Sequence, residues 1–133
     1  MALTSVVDTR FLLTLQFPPD EETKKGVENL LNKELSSGLV APSIVLTEFI
    51  KFAGSKIGEQ AAVTRINLLK SRGMSVAPLT ETICINAGKL LLAKRNIPIA
   101  DALIATFVLL REALYVITDD PDYEELGVKT KSW

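Results

Sequence analysis

Asp8, Glu48, Asp101 and Asp120, with Asp122 beside the last, stand where a carboxylate is awkward for packing: at the end of an apolar run or inside an apolar helix. None of the five has a basic residue as its immediate neighbour. An unpaired acid close to a core is costly unless it gains a partner, and a divalent cation is such a partner. The chain has no histidine, so no imidazole can serve as base, nucleophile or ligand. Its chemistry must run on oxygen ligands, which hard cations such as Mg²⁺ or Mn²⁺ prefer.

Each acid has a purely structural reading as well. Asp8, after Val6-Val7, can cap the helix that follows. Glu48 shares a helical face with Ile44, Val45, Phe49 and Phe52, and a Glu at the edge of an apolar stripe can simply be solvated. Asp101 is the only charge between Ile97 and Leu110; it lies in a first helical turn, where the helix dipole favours an anion. Asp119, Asp120 and Asp122 fall in a turn, where Asp is common for local reasons.

The elements that must position these acids read as follows. Short apolar runs at 3–7, 39–41, 74–77, 114–118 and 127–130 predict strands. Helices are predicted over 10–16, from a cap at Asp20 to a stop at Gly38, from Ser43 to Gly54, over about 56–72, from Thr80, and from Pro98. Pro121 opens a turn or helical turn. Alternating short apolar strands and helices predict an α/β fold, a three-layer α/β/α sandwich with a mainly parallel central sheet. Function in such sheets gathers at the C-terminal strand ends, where Asp8 and the Asp119/Asp120 pair stand.

A length of 133 residues fits one domain over 1–133, with 47% apolar residues and a mean hydropathy of +0.25 marking a core-rich globular chain. The net charge of −1 excludes a strong basic field that would draw nucleic acid from afar. A single cysteine, Cys84, excludes an internal disulfide framework and reads as a small core residue. The apolar stretch at 97–110 is too short to span a bilayer and carries Asp101. No signal peptide is expected, and a cytoplasmic, soluble protein is.

Four segments in order, VVDTRFLL at 6–13, LTEFIKF at 46–52, IPIADALIATFVL at 97–109 and VITDDPDYEELGVKT at 116–130, resemble the PIN domain, the small nuclease domain of VapC-type toxins in bacterial and archaeal toxin–antitoxin pairs. The resemblance covers essentially the whole chain. Residue by residue, it makes Asp8, Glu48 and Asp101 the first three acids of the family. It aligns Thr118, Asp120, Asp122 and Tyr123 with the fourth motif, so that Asp120 is the fourth acid and Asp122 an auxiliary; a slip of one residue would put Asp119 there instead. Thr9 matches a small hydroxyl residue. Arg10 departs from a frequent small polar residue, and either meets substrate phosphate or pairs with a neighbouring acid. Lys51, one turn from Glu48, is the basic residue best placed to face a phosphate.

The resemblance implies hydrolysis of RNA phosphodiester bonds by water, with Mg²⁺ or Mn²⁺ held by Asp8, Glu48, Asp101, Asp120 and Asp122. Thr9, Arg10, Lys51 and Thr118 are the candidate substrate contacts. It also implies an antitoxin partner, with a segment packed in a groove near the site, and a homodimer. A housekeeping RNA-processing nuclease, or a silent RNA-binding or assembly protein of the same fold, is the alternative. A receiver-type phosphoacceptor or an Asp-x-Asp phosphatase does not fit, since the first acid is followed by Thr9-Arg10 and no lysine closes the last apolar strand.

Overall fold

The computed structural model describes residues 4–133. Strands β1 (Ser5–Val7), β2 (Leu39–Pro42), β3 (Ser75–Ala77), β4 (Val116–Ile117) and β5 (Thr130–Lys131) form one sheet in the order β3-β2-β1-β4-β5, every neighbouring pair parallel. Residue 3, the expected start of the first strand, lies outside the described residues. Between the strands run α1 (Thr9–Gln16) and α2 (Glu21–Ser37), α3 (Ser43–Ile57) and α4 (Glu59–Ser71), α5 (Glu81–Ala93) and α6 (Ile99–Leu109), and the single turn α7 (Asp122–Glu125).

The order fixes the layers. The chain steps outward from β1 to β2 to β3, then returns past β1 to β4. Right-handed crossovers put α1–α4 on one face and α5–α6 on the other. Covered on both sides, the central strands are apolar throughout: Val6, Val7, Val116 and Ile117 are all buried. The strand order reverses between β1 and β4, which makes their C-terminal ends the switch point of the sheet.

Several boundaries follow from single residues. Asp20 accepts from the Thr23 backbone N–H at 2.7 Å and starts α2; Thr80 accepts from Ile83 and starts α5. Helix α3 does not stop at Gly54. It continues to Ile57 and ends at Gly58, whose φ of +93° suits glycine. Ser43 is the first residue of α3 and caps nothing; Pro42 precedes it without a side-chain cap. The last strand begins three residues later than the sequence suggests, because Gly127, at φ +76°, closes the turn after α7.

Two expected core residues are outside. Cys84 is exposed because Ile83 and Ala87 set the inward phase of α5. Phe52 is 47% exposed because Val45, Phe49 and Ala53 take the buried side of α3. Trp133 folds back onto Phe11, ring centroids 5.5 Å apart, and passes close to Gly26. Away from the switch point, buried Glu34 of α2 accepts from the Tyr115 hydroxyl and from Lys131 Nζ at 3.3 Å, tying β5 to α2.

Candidate active site

The sheet register builds the first half of the site. Val7 lies opposite Ile117, so Asp8 and Thr118, one residue further on, stand side by side. The Thr118 hydroxyl donates to Asp8 Oδ2, and the Phe11 backbone N–H donates to Oδ1 at 2.9 Å. Asp8 therefore does cap α1, as its structural reading holds, but it does so 2% exposed at the sheet's switch point. Burial pushes its carboxyl from 3.8 up to about 7, and the nearby Asp101 charge adds to this; hydrogen bonds from Thr118 and Phe11 oppose it.

The turn after β4 builds the second half. Thr118 Oγ1 accepts the Asp120 backbone N–H at 3.0 Å, and Asp120 Oδ1 accepts the Asp122 backbone N–H at 2.9 Å. These local bonds aim the two side chains at the start of α6. There Asp101, Asp120 and Asp122 each offer one carboxylate oxygen, all within 4.8 Å of one another. Ligand oxygens across a hard cation lie about 4–5 Å apart, so the three fit around one ion. Among the described residues none of the three forms an ion pair. Their mutual repulsion is visible in Asp101. Burial first, then the charges of Asp120, Glu48 and Asp122, raise its pKa, against a hydrogen bond from Tyr123.

Glu48 and Asp8 stand at the edge of this triad. Glu48, from α3, accepts the Thr9 hydroxyl, and its charge acts on Asp101. Each ionised carboxylate oxygen has further lone pairs, so neither acid is exhausted by these bonds. Asp119 and Arg10 turn aside together: Arg10 Nε donates to Asp119 Oδ1 at 2.8 Å. Arg10 thus pairs with the one acid of the turn that is outside the triad. Lys51 is exposed on α3, its Nζ 5.5 Å from the Phe52 ring centroid.

Tyr123 is the residue that charge patterning missed. Its ring is fully buried and its hydroxyl donates to Asp101 Oδ1 at 3.2 Å. Burial, with Asp8 and Asp101 nearby, raises its pKa, so it stays a donor. The only signal in the sequence is the aromatic at the end of the fourth motif.

On the face of α1–α4, a groove of about 440 Å³ has Leu12, Leu31, Phe49 and Leu69 on its walls and Arg65 and Arg72 at its rim. Among the described residues no helix is long and apolar enough to cross a membrane.

The sequence model of the PIN domain matches residues 5–129. Among solved structures, the chain is similar to Mycobacterium tuberculosis VapC20, a toxin described as cleaving the sarcin–ricin loop. The identity is 19% and the TM-score 0.78, over 94% of this chain and 96% of that one. It is similar to VapBC2 of Rickettsia felis, solved bound to a DNA fragment from its promoter, at 16% identity and a TM-score of 0.79, over 98% and 99% of the two chains. DNA-bound VapBC from Salmonella typhimurium gives 21% identity and a TM-score of 0.73, over 98% of each chain. These likenesses carry the fold. No curated protein matches the sequence.

Proposed function

The chain belongs to the PIN-domain family, and from that membership we propose that it is a metal-dependent ribonuclease, the toxin of a VapBC-type pair. The observation that carries this reading is the triad of Asp101, Asp120 and Asp122, unpaired and within 4.8 Å, beside buried Asp8 at the sheet's switch point. Asp101, Asp120 and Asp122, with Asp8 and Glu48 at their edge, would hold Mg²⁺ or Mn²⁺. A bound ion would stabilise charge building on a phosphodiester and make a water more acidic.

The chain's own groups do the rest. Tyr123 and Thr118 hold Asp101 and Asp8 in place through their hydroxyls, and Thr9 does the same for Glu48. Arg10, 58% exposed and anchored by Asp119, presents a cation at the rim for a substrate phosphate; Lys51 offers a second. RNA is the substrate class. The partner is an antitoxin, with a segment whose apolar side chains meet Leu12, Leu31, Phe49 and Leu69 in the groove and whose acids meet Arg65 and Arg72 rather than Glu28. VapBC likenesses support this toxin role over a housekeeping one. The protein acts as one domain in the cytoplasm, as a homodimer.

Calorimetric titration with Mn²⁺ and Mg²⁺ tests the site. Wild type is expected to bind at a defined stoichiometry and Asp101→Asn to lose most of that affinity. Equal binding by both would remove Asp101 from the ligand set.

A further inference from the structure

Phe52 is an anomaly of packing. Phe11, Phe49 and Phe107 are buried, whereas Phe52 keeps nearly half its surface in water. Its place is specific. On α3 it follows Glu48 by four residues, so the two side chains share a face one turn apart. Lys51, three residues after Glu48, flanks the same face and holds its ammonium 5.5 Å from the Phe52 ring centroid. An exposed aromatic, a cation and the edge of a carboxylate cluster therefore lie in one row. A lone exposed ring is ordinary. A ring paired with a cation beside a phosphodiester site has the two elements that single-stranded nucleic acid requires: a π-face for a base and a positive charge for its phosphate.

We propose that Phe52, with Lys51 beside it, is the stacking platform for one unpaired nucleobase of the RNA strand whose phosphate reaches the acidic triad. The inference rests on the ribonuclease reading and adds to it a requirement. The nucleotide next to the cleaved bond must be unstacked from its own strand, so a continuous duplex is a poor ligand. Stacking on a ring tolerates any base, so Phe52 selects for single-strandedness rather than sequence. An exposed ring has a rival use, coverage by a second copy of this chain.

The test uses the full chain carrying Asp101→Asn, which keeps the RNA uncut, and a short labelled single-stranded RNA followed by fluorescence anisotropy. Adding Phe52→Ala is expected to weaken binding about tenfold, the scale of one lost base–aromatic stack. Phe52→Trp is expected to retain binding, with its fluorescence quenched by the RNA. A fully abasic sugar–phosphate strand should bind equally to the Phe and Ala forms. Lys51→Ala should lower the slope of log affinity against log salt by about 0.7, one phosphate contact to a single strand. Undiminished binding by Phe52→Ala overturns the platform and leaves the nuclease reading intact. Weakened binding that merely tracks a dimer turning into a monomer in sedimentation assigns Phe52 to the second copy and also overturns it. If no form, including wild type, binds RNA, the ribonuclease reading falls and the platform falls with it.

Discussion

Asp8→Asn should stabilise the metal-free protein, and by an amount that depends on pH. In the folded state Asp8 keeps its proton up to about 7, whereas an unfolded aspartate releases it near 3.8. Between those values the folded state binds more protons than the unfolded one, so the contribution of this group to stability falls as pH rises through that window. At 1.36 kcal/mol per pH unit the full interval corresponds to about 4 kcal/mol by pH 8, and to almost nothing below pH 4. Asparagine removes the charge and keeps the shape. Its Oδ1 can still accept the Phe11 N–H that caps α1, and its amide can donate to Thr118 Oγ1, which now donates to Asp8. Asp8→Ala removes the cap as well and should forfeit about 1 kcal/mol of the gain. The assay is urea unfolding in EDTA from pH 4 to 8, read as the difference between wild type and variant so that other titrating groups cancel. The gap should open upward in favour of Asn, up to about 4 kcal/mol, and close when Mn²⁺ is added, because only wild type gains binding energy. A variant less stable than wild type at pH 8 without metal would refute the reasoning and make Asp8 a capping anion stabilised by its surroundings.

Glu34→Gln should behave in the opposite sense. Burial raises the Glu34 pKa, but hydrogen bonds from Tyr115, Ser5 and Lys131 outweigh it and leave the carboxyl below its usual value. Its contribution is therefore present above the ordinary value of 4.5 and lost as pH falls through the lower folded value, so the variant should lose about 1–3 kcal/mol at pH 7 and less at pH 3 in the same unfolding assay. Tyr123→Phe keeps the buried ring and removes the donor to Asp101; calorimetry should show Mn²⁺ affinity falling about 10-fold or more, the scale of an outer-shell loss. Asp119→Asn and Asp120→Asn separate the two neighbours. The first breaks an exposed ion pair and should change stability by less than about 1 kcal/mol and metal affinity little, while the second removes a member of the triad and should lower metal affinity by more than about tenfold.

Much of this architecture was readable from local rules. Asp20, Thr80 and Gly38 mark helix ends through residue chemistry that acts over three or four residues, and each is where it was expected. The parallel sheet followed from apolar runs such as Val6-Val7, buried on both faces. Convergence of Asp101 with Asp120 and Asp122 was legible only as order and spacing, because it depends on α6 packing against β1 and β4, a tertiary contact that no local pattern encodes. Tyr123 was placed in the fourth motif by the resemblance, but its role was hidden: an aromatic reads as core until its hydroxyl partner, 22 residues away, is known. Helical phase misled at two points. Phe52 and Cys84 lie beside true core positions, and a shift of one residue turned each from expected core to observed surface. Arg10 pairs with Asp119, a contact that spans 109 residues and that no local pattern encodes, and its side chain stays exposed.

The most direct test is a cleavage assay on a mixed RNA pool with Mg²⁺, Mn²⁺ or EDTA, wild type beside Asp101→Asn. Cleavage by wild type with metal, abolished both by EDTA and by the substitution, is the predicted result. Cleavage by wild type that persists in EDTA, or a fully active Asp101→Asn, would contradict the account of a metal-dependent carboxylate site.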